Sequence, residues 1–293
     1  MILEQRYGAA QVVMRVTDAL LLRANSGQAT SPDTFRREIF RTGWGYISER
    51  RAVASLVNLV NTMLWSLEAC DTPQELHTSV NDVINNFRHQ LNQRVLDTAL
   101  HSLSLLSTCH HILTHGYSTT VQYALQHALR NGQRVHVTYV TPNDSGESIA
   151  LHERIAAIGL NVDSIPISQI GAMIQKYDAV IVGADTLDVH GLTNKHGTAL
   201  LATSALKHNV PFFTFCTSEK FLTNAFYHGP ISPWPFNDVP QLMTSPDLIH
   251  RDITPLHEIS GVITDRGSLP GPAIEAWLAT EQLHPWLSGR GTL

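Results

Sequence analysis

Residues Ala179–Phe215 read AVIVGADTLDVHGLTNKHGTALLATSALKHNVPFFTF. The run Ala179–Val182 is apolar throughout, as a strand covered on both faces must be. It ends in Gly183-Ala184-Asp185. The glycine-bearing stretch Gly191–Thr198 then runs into a predicted helix over Lys195–His208, and Phe212–Phe215 is a second apolar run. Two such runs joined by a helical crossover are parallel strands, and the crossover is right-handed. The same alternation extends outward on the N-terminal side. Strands are predicted at His111–Thr114, Arg134–Val140 and Val162–Ile165, with helices at Thr119–Arg130, Glu147–Ile158 (ending on Gly159) and Ser168–Lys176. Downstream, Gly261–Thr264 is a last short strand before a helix beginning near Pro270, and the Pro-rich stretch Gly229–Pro240 is predicted as a long loop or flap. Repeats of this kind define a doubly wound α/β unit, here assigned to residues 107–293.

Residues 1–106 have a different texture, with helical apolar spacing and no strand pattern. Ile2, Tyr7, Val12, Val13, Val16 and Leu20 mark a first helix ending near Asn25-Ser26-Gly27. Ser31-Pro32-Asp33 opens a short second helix, broken at Arg41-Thr42-Gly43-Trp44-Gly45. Ala52, Leu56, Val57, Val60 and Met63 mark a third, and a long helical segment runs from Thr72-Pro73 to about Leu106. The expected fold class is therefore α/β: a helical N-terminal domain (1–106) followed by a Rossmann-like parallel-sheet C-terminal domain (107–293).

The chain has 293 residues, enough for two modest domains, and 43% are hydrophobic, which excludes a disordered polymer. A net charge of −5 argues against non-specific binding to nucleic acid or to an anionic membrane. No apolar run reaches the roughly 18 residues of a membrane span, and Glu4, Arg6 and Arg15 interrupt any signal-peptide pattern at the N-terminus. Cys70, Cys109 and Cys216 are scattered, as in a reduced cytosolic protein, so a cytoplasmic location is expected. His110 and His111 point to opposite faces of a strand, so the Cys109-His110-His111 cluster does not suit one metal ion. No metal or other cofactor is expected. P-loop, GxGxxG and GxSxG patterns are lacking.

In an open parallel sheet, ligands bind outside the carboxyl ends of the strands. Those ends carry His115-Gly116-Tyr117-Ser118, Thr141-Pro142-Asn143-Asp144, Gly183-Ala184-Asp185-Thr186, Cys216 through Lys220, and Asp265-Arg266-Gly267. Asp185, at the tip of an apolar strand, is the candidate carboxylate for acid–base work. It has an equally plain reading as a turn or helix cap. Gly191–Thr198, with Lys195, suits an anion such as phosphate at a helix N-terminus, or is simple capping.

Taken together, Ile181–Phe221, Ile112–Ser118 (ILTHGYS) and the stretch from Ile253-Thr254-Pro255 to Ile263-Thr264-Asp265-Arg266-Gly267 resemble the translation initiation factor 2B alpha/beta/delta superfamily. The likeness runs in order over most of residues 107–280. It implies a helical domain on a Rossmann-like domain that pairs into a homodimer or higher oligomer, with a protein partner in the regulatory members. The superfamily has two wings: isomerases of methylthioribose-1-phosphate and ribose-1,5-bisphosphate, and regulatory subunits of the exchange factor for initiation factor 2. The resemblance places Asp185 on the isomerases' catalytic aspartate and Asn194-Lys195 on their substrate-contacting pair. It also places Gly116 where they carry a cysteine, and Thr141-Pro142-Asn143-Asp144-Ser145 where they carry an arginine loop. Tyr117-Ser118 is closer to the regulatory subunits. Strand ends and resemblance together give an expected ligand-binding set of His115, Gly116, Tyr117, Ser118, Thr141, Asn194, Lys195, Gly197, Thr198 and Lys220, with Asp185 the catalytic candidate. The expected function is binding of a phosphorylated sugar or nucleotide without isomerase chemistry; the alternative is an aldose-phosphate isomerase using Asp185.

Overall fold

In the computed structural model, residues 9–27, 31–49, 53–141, 159–160, 162–223, 225–228, 251–278 and 282–288 are described. The expected helix at 147–158 and the Pro-rich stretch at 229–240 lie outside them.

Four helices precede the first strand: α1 Ala9–Ala24, α2 Pro32–Glu49, α3 Ala54–Glu68 and α4 Pro73–Leu106. The expected break at Arg41–Gly45 is not there, because α2 runs through it. The reason is tertiary. A Cβ on Gly43 would come within 2.5 Å of Val60 Cγ2, so the glycine lets α2 and α3 approach closely, and Phe40, Trp44 and Ile47 still face the core. Packing of this apolar face outweighs the roughly 1 kcal/mol helix penalty of each glycine. At the start of α4, Thr72 and Glu75 form a reciprocal capping box, with Pro73 in the first turn.

The core of this helical region holds Val13, Leu20, Ile39, Phe40, Leu56, Leu59, Val60, Leu76, Val80 and Ile84, and it also takes in Leu222 and Leu287 from far along the chain. The second half of α4 does something else. Ala99 and Leu106 join Ile112, Val121, Ala124, Val137 and Ile181 in a separate core on one face of the sheet.

That sheet has strands β1 His111–His115, β2 His136–Thr141, β3 Val162–Pro166, β4 Ala179–Val182, β7 Phe212–Phe215, β9 Gly261–Thr264 and β10 Gly267–Leu269. Their order is β10-β9-β7-β4-β1-β2-β3, parallel except for the β9–β10 hairpin at one edge. The chain winds outward from β1 to β3, returns to the other side of β1 with β4, and winds out again. β1 and β4 pair directly, Ile112 opposite Ala179, so the switch of winding direction falls between them. α5 Thr119–Arg130 and α4 cover one face. α6 Thr198–Lys207 and α7 Gly271–Leu278 cover the other, where Leu113, Val180, Val182, Leu201, Ala205 and Ile274 form the third core. Successive residues of one strand thus feed opposite layers, Val180 one and Ile181 the other. This is the expected α/β class. The helix expected over Ser168–Lys176 shrinks to one α turn, Ile170–Met173, between two 3₁₀ turns.

A second, antiparallel sheet was not expected. It consists of β5 Thr186–Asp188, β6 Gly191–Lys195 and β8 Arg251–Thr254, in the order β5-β6-β8. Its presence corrects the reading of Gly191–Thr198 as a loop entering a helix at Lys195. Lys195 ends a strand, Gly197 has φ of 102°, and the helix begins at Thr198. Pairing on both edges, Thr193 opposite Thr186 and Ile253, outweighs the turn character of the stretch.

Candidate functional site

The crevice at the β1/β4 switch is where an open α/β sheet binds its ligands. His115 ends β1 and is buried, its Nε2 2.9 Å from the His196 carbonyl oxygen and its Nδ1 3.2 Å from that of Val140. Burial pushes its pKa below the ordinary value, while the two carbonyls pull the other way. His115 therefore ties β1 and β2 to the turn before α6. Gly116 follows with φ of +71°, where a Cβ would meet Lys195 Cβ at 3.4 Å and Cδ at 3.5 Å. The Lys195 stem thus lies over the glycine. Tyr117 is half-buried on the same turn, and Ser118 caps α5 by accepting the Val121 N–H at 3.3 Å.

After β4 comes Asp185. Its backbone N–H donates to the Thr193 carbonyl at 3.0 Å, and its Oδ2 accepts from Arg251 Nε at 2.7 Å, both side chains being 16% exposed. Arg251 stands directly opposite Lys195 in the β6–β8 ladder, which puts the two cationic side chains on one face of the small sheet. The neighbouring Asp252 faces the other way and accepts the Gly197 N–H at 2.8 Å. The α6 N-terminus, expected to be open to an external anion, is thus already met by a carboxylate of the chain. Asn194 Nδ2 donates to Thr198 Oγ1 at 3.2 Å, and Thr198 Oγ1 donates to the Lys195 carbonyl at 2.6 Å, which fixes the strand-to-helix corner.

The third wall follows β7. Cys216 is wholly buried, and loss of hydration drives its thiol pKa far above the ordinary value, against the pull of Lys220; Glu219, Asp265 and Asp185 add to the rise. Lys220 is itself buried, and among the described residues no hydrogen bond or ion pair holds its ammonium. Glu219 accepts from Thr217 Oγ1 at 2.6 Å and faces Arg94 of α4 at 3.6 Å. Asn58 of α3 donates to the Glu219 and Phe221 carbonyls at 2.8 and 2.7 Å, so the helical region braces this loop.

The structure therefore brings His115, Gly116, Asp185, Asn194, Lys195, Gly197 and Thr198 into one neighbourhood, with Lys220 sharing the surroundings of Cys216. Thr141, at the end of β2, spends its hydroxyl on the Ile165 carbonyl at 3.2 Å. The loop after it, 142–145, lies outside the described residues. Arg251 and Asp252 escaped the sequence reading. The available signal was a charged pair directly before the β-branched residues Ile253 and Thr254, but without a partner strand in view it gave no strand.

A helical region braced on a Rossmann-like sheet, with charged residues gathered at the switch point, defines the class: a doubly wound α/β protein. The family model described as the initiation factor 2 subunit family matches residues 5–271. The chain belongs to that family. A ribose 1,5-bisphosphate isomerase of Haloferax volcanii is 25% identical over 280 residues, covering 91% of this chain and 85% of the relative. A putative translation initiation factor eIF-2B subunit 2-like protein of Pyrococcus furiosus is 31% identical over 166 residues, 55% of this chain and 58% of the relative. Among solved structures, the Pyrococcus horikoshii translation initiation factor eIF-2B superposes with a TM-score of 0.72 at 21% identity, covering 91% of this chain and 92% of that one. The 5-methylthioribose 1-phosphate isomerase of the same organism superposes with a TM-score of 0.65 at 20% identity, covering 90% and 81%. These superpositions establish the shared fold. Among the described residues no helix is long and apolar enough to cross a membrane.

Proposed function

We propose that this protein binds a phosphorylated sugar at the β1/β4 crevice and does not isomerise it. The observation that carries the reading is the Arg251–Asp185 pair with Lys195 directly across the ladder, and Lys220 buried nearby beside Cys216. Cations in a partly buried crevice favour a phosphate, and a carboxylate beside them accepts hydroxyls. Against isomerase chemistry stand Gly116, which offers no side chain, and Cys216, whose thiol is too buried and too weakly acidic to replace one. The second reading, an active isomerase, draws on the relatives named ribose 1,5-bisphosphate isomerase, which align over almost the whole chain.

The test is a thermal shift with ribose 1,5-bisphosphate, methylthioribose-1-phosphate and nucleoside monophosphates. A ligand bound only by the folded state raises the melting temperature, by about 2.7 kcal/mol of stabilisation at 100 times its Kd. Lys195→Ala is expected to abolish the shift. A shift unchanged in Lys195→Ala places the phosphate elsewhere; no shift with any phosphorylated compound removes the reading.

Assembly into a two-fold dimer through the Rossmann-like domain belongs to the same proposal. Leu200 and Leu206 on α6 and Ile253 on β8 stay more than half exposed, at 52, 52 and 53%, and apolar side chains of this size suit a subunit contact. Light scattering at micromolar concentration is expected to give twice the 32.4 kDa chain mass. A particle of one chain mass contradicts it.

A further inference from the structure

We propose that Arg251 is a positioning residue of the ligand site, fixing the Asp185 carboxylate for a sugar hydroxyl and giving the site its preference for ligands with an oxyanion close to hydroxyls. The inference rests on the sugar-phosphate reading above and adds a residue to it.

A carboxylate at the end of a strand is free to turn about its last bond. Here one oxygen, Oδ2, is held by Arg251 Nε at 2.7 Å, with both side chains largely withdrawn from solvent. The other oxygen, Oδ1, accepts no hydrogen bond among the described residues. The plane of the carboxylate is thereby set, and one acceptor is kept for a hydroxyl donor. The strand supplying Arg251 does two jobs with adjacent residues. Arg251 goes to Asp185 on one face, and Asp252 goes to the Gly197 N–H on the other. Register makes this arrangement firm: β8 is zipped to β6 from Lys195–Arg251 through Leu192–Thr254, so Arg251 cannot slide without the whole strand reversing its faces.

The pairing of Asp185 with Arg251 gives the preference. Asp185 alone would repel a phosphate brought to Lys195. With Arg251 paired to it, the Asp185 charge is offset while Lys195 stands directly across the ladder. A phosphate is then attracted while a hydroxyl beside it still finds Oδ1. A neutral sugar gains only the second contact, and inorganic phosphate only the first. Lysine in place of arginine would keep the charge but lose the side-on Nε contact that sets the carboxylate plane.

The experiment measures affinity for ribose 1,5-bisphosphate by calorimetry, with free ribose and inorganic phosphate as controls. The proteins are wild type, Arg251→Leu, Arg251→Lys, Asp185→Asn and the Arg251→Leu/Asp185→Asn pair. Unliganded melting temperatures are taken alongside. Arg251→Leu should weaken ribose 1,5-bisphosphate binding about 10-fold or more, and Arg251→Lys should recover part of the loss. Because Arg251 acts through Asp185, the double variant should lose less than the product of the two single losses. If Arg251→Leu leaves Asp185 too poorly compensated to fold, the double variant, which carries no unpaired carboxylate, and Arg251→Lys still supply the measurement. Affinity within twofold of wild type in Arg251→Leu, or in Arg251→Lys where Arg251→Leu does not fold, overturns the role of Arg251, and a double variant that loses the full product of the two single losses overturns its action through Asp185; if Lys195→Ala still abolishes binding, the site itself stands. Absence of ribose 1,5-bisphosphate binding by wild type, with no other phosphorylated sugar bound, overturns both.

Discussion

Wild-type protein given ribose 1,5-bisphosphate or methylthioribose-1-phosphate is expected to form ketose product more slowly than an enzyme with a complete acid–base pair by a factor of about 10² to 10⁴. The interconversion moves hydrogen between C1 and C2 of the opened sugar, which needs one group to handle that hydrogen and another to manage the oxygens. Asp185 is available for one task only, and one of its oxygens is taken by Arg251. The second group is missing from the place the family resemblance assigns it. Gly116 sits at φ of +71°, where a residue with a Cβ costs roughly 1–2 kcal/mol, although a Cβ there would make only ordinary contact with the Lys195 stem at 3.4 Å. The local backbone is thus built around glycine, so Gly116→Cys should not restore turnover. His115 is no substitute, because each of its ring nitrogens already faces a carbonyl and the ring is buried. The measurement is ketose formation followed by NMR, with Asp185→Asn beside the wild type. Robust turnover that vanishes in Asp185→Asn would establish the isomerase reading and overturn binding without chemistry.

The large sheet was legible because its strands are short apolar runs separated by helical lengths, a pattern governed by local burial. β1, β4, β7 and β9 agree with their predicted runs to within a residue at either end. The small sheet was not legible, because its strands carry ordinary loop residues. Gly191 is a strand residue here only through Asp188, and Asn194 and Lys195 only through Asp252 and Arg251, more than 50 residues away in sequence. The site divides the same way. Asp185 and His115 follow from the rule that ligands gather at the carboxyl ends of parallel strands, and Lys195 from the glycine-bearing run before a predicted helix. Arg251 could not follow from that rule, since it begins an antiparallel strand of the other sheet. Gly43 makes the same point within a helix. Two glycines in five residues signal a break locally, and only the close approach of Val60 explains why α2 continues.

Replacing Phe40 by alanine is expected to cost about 3–5 kcal/mol of stability, a large share of the roughly 5–15 kcal/mol that a folded domain has. Phe40 is 1% exposed in the helical core. Its ring stacks on Trp44 at 5.8 Å between centroids and meets Trp286 edge-on at 5.5 Å. Alanine would remove contacts from both indoles and leave a void between them that rigid neighbouring helices cannot close. The loss should reach beyond α2, because Trp286 belongs to residues 282–288, which dock on α3 through further contacts. The His284 N–H donates to Asn61 Oδ1 at 2.8 Å, and His284 Nε2 lies 3.0 Å from Glu68 Oε1. α3 in turn holds the 219–221 carbonyls through Asn58, so loosening this core also loosens the support of Lys220. Urea unfolding followed by far-ultraviolet circular dichroism and by tryptophan emission gives the test. The emission transition should move to lower urea with Phe40→Ala, and much less with Phe40→Leu, which keeps most of the volume. A Phe40→Ala loss below about 1 kcal/mol, small against a full phenyl cavity, would mean that the core collapses around the vacancy and that Trp286 is not anchored through this ring.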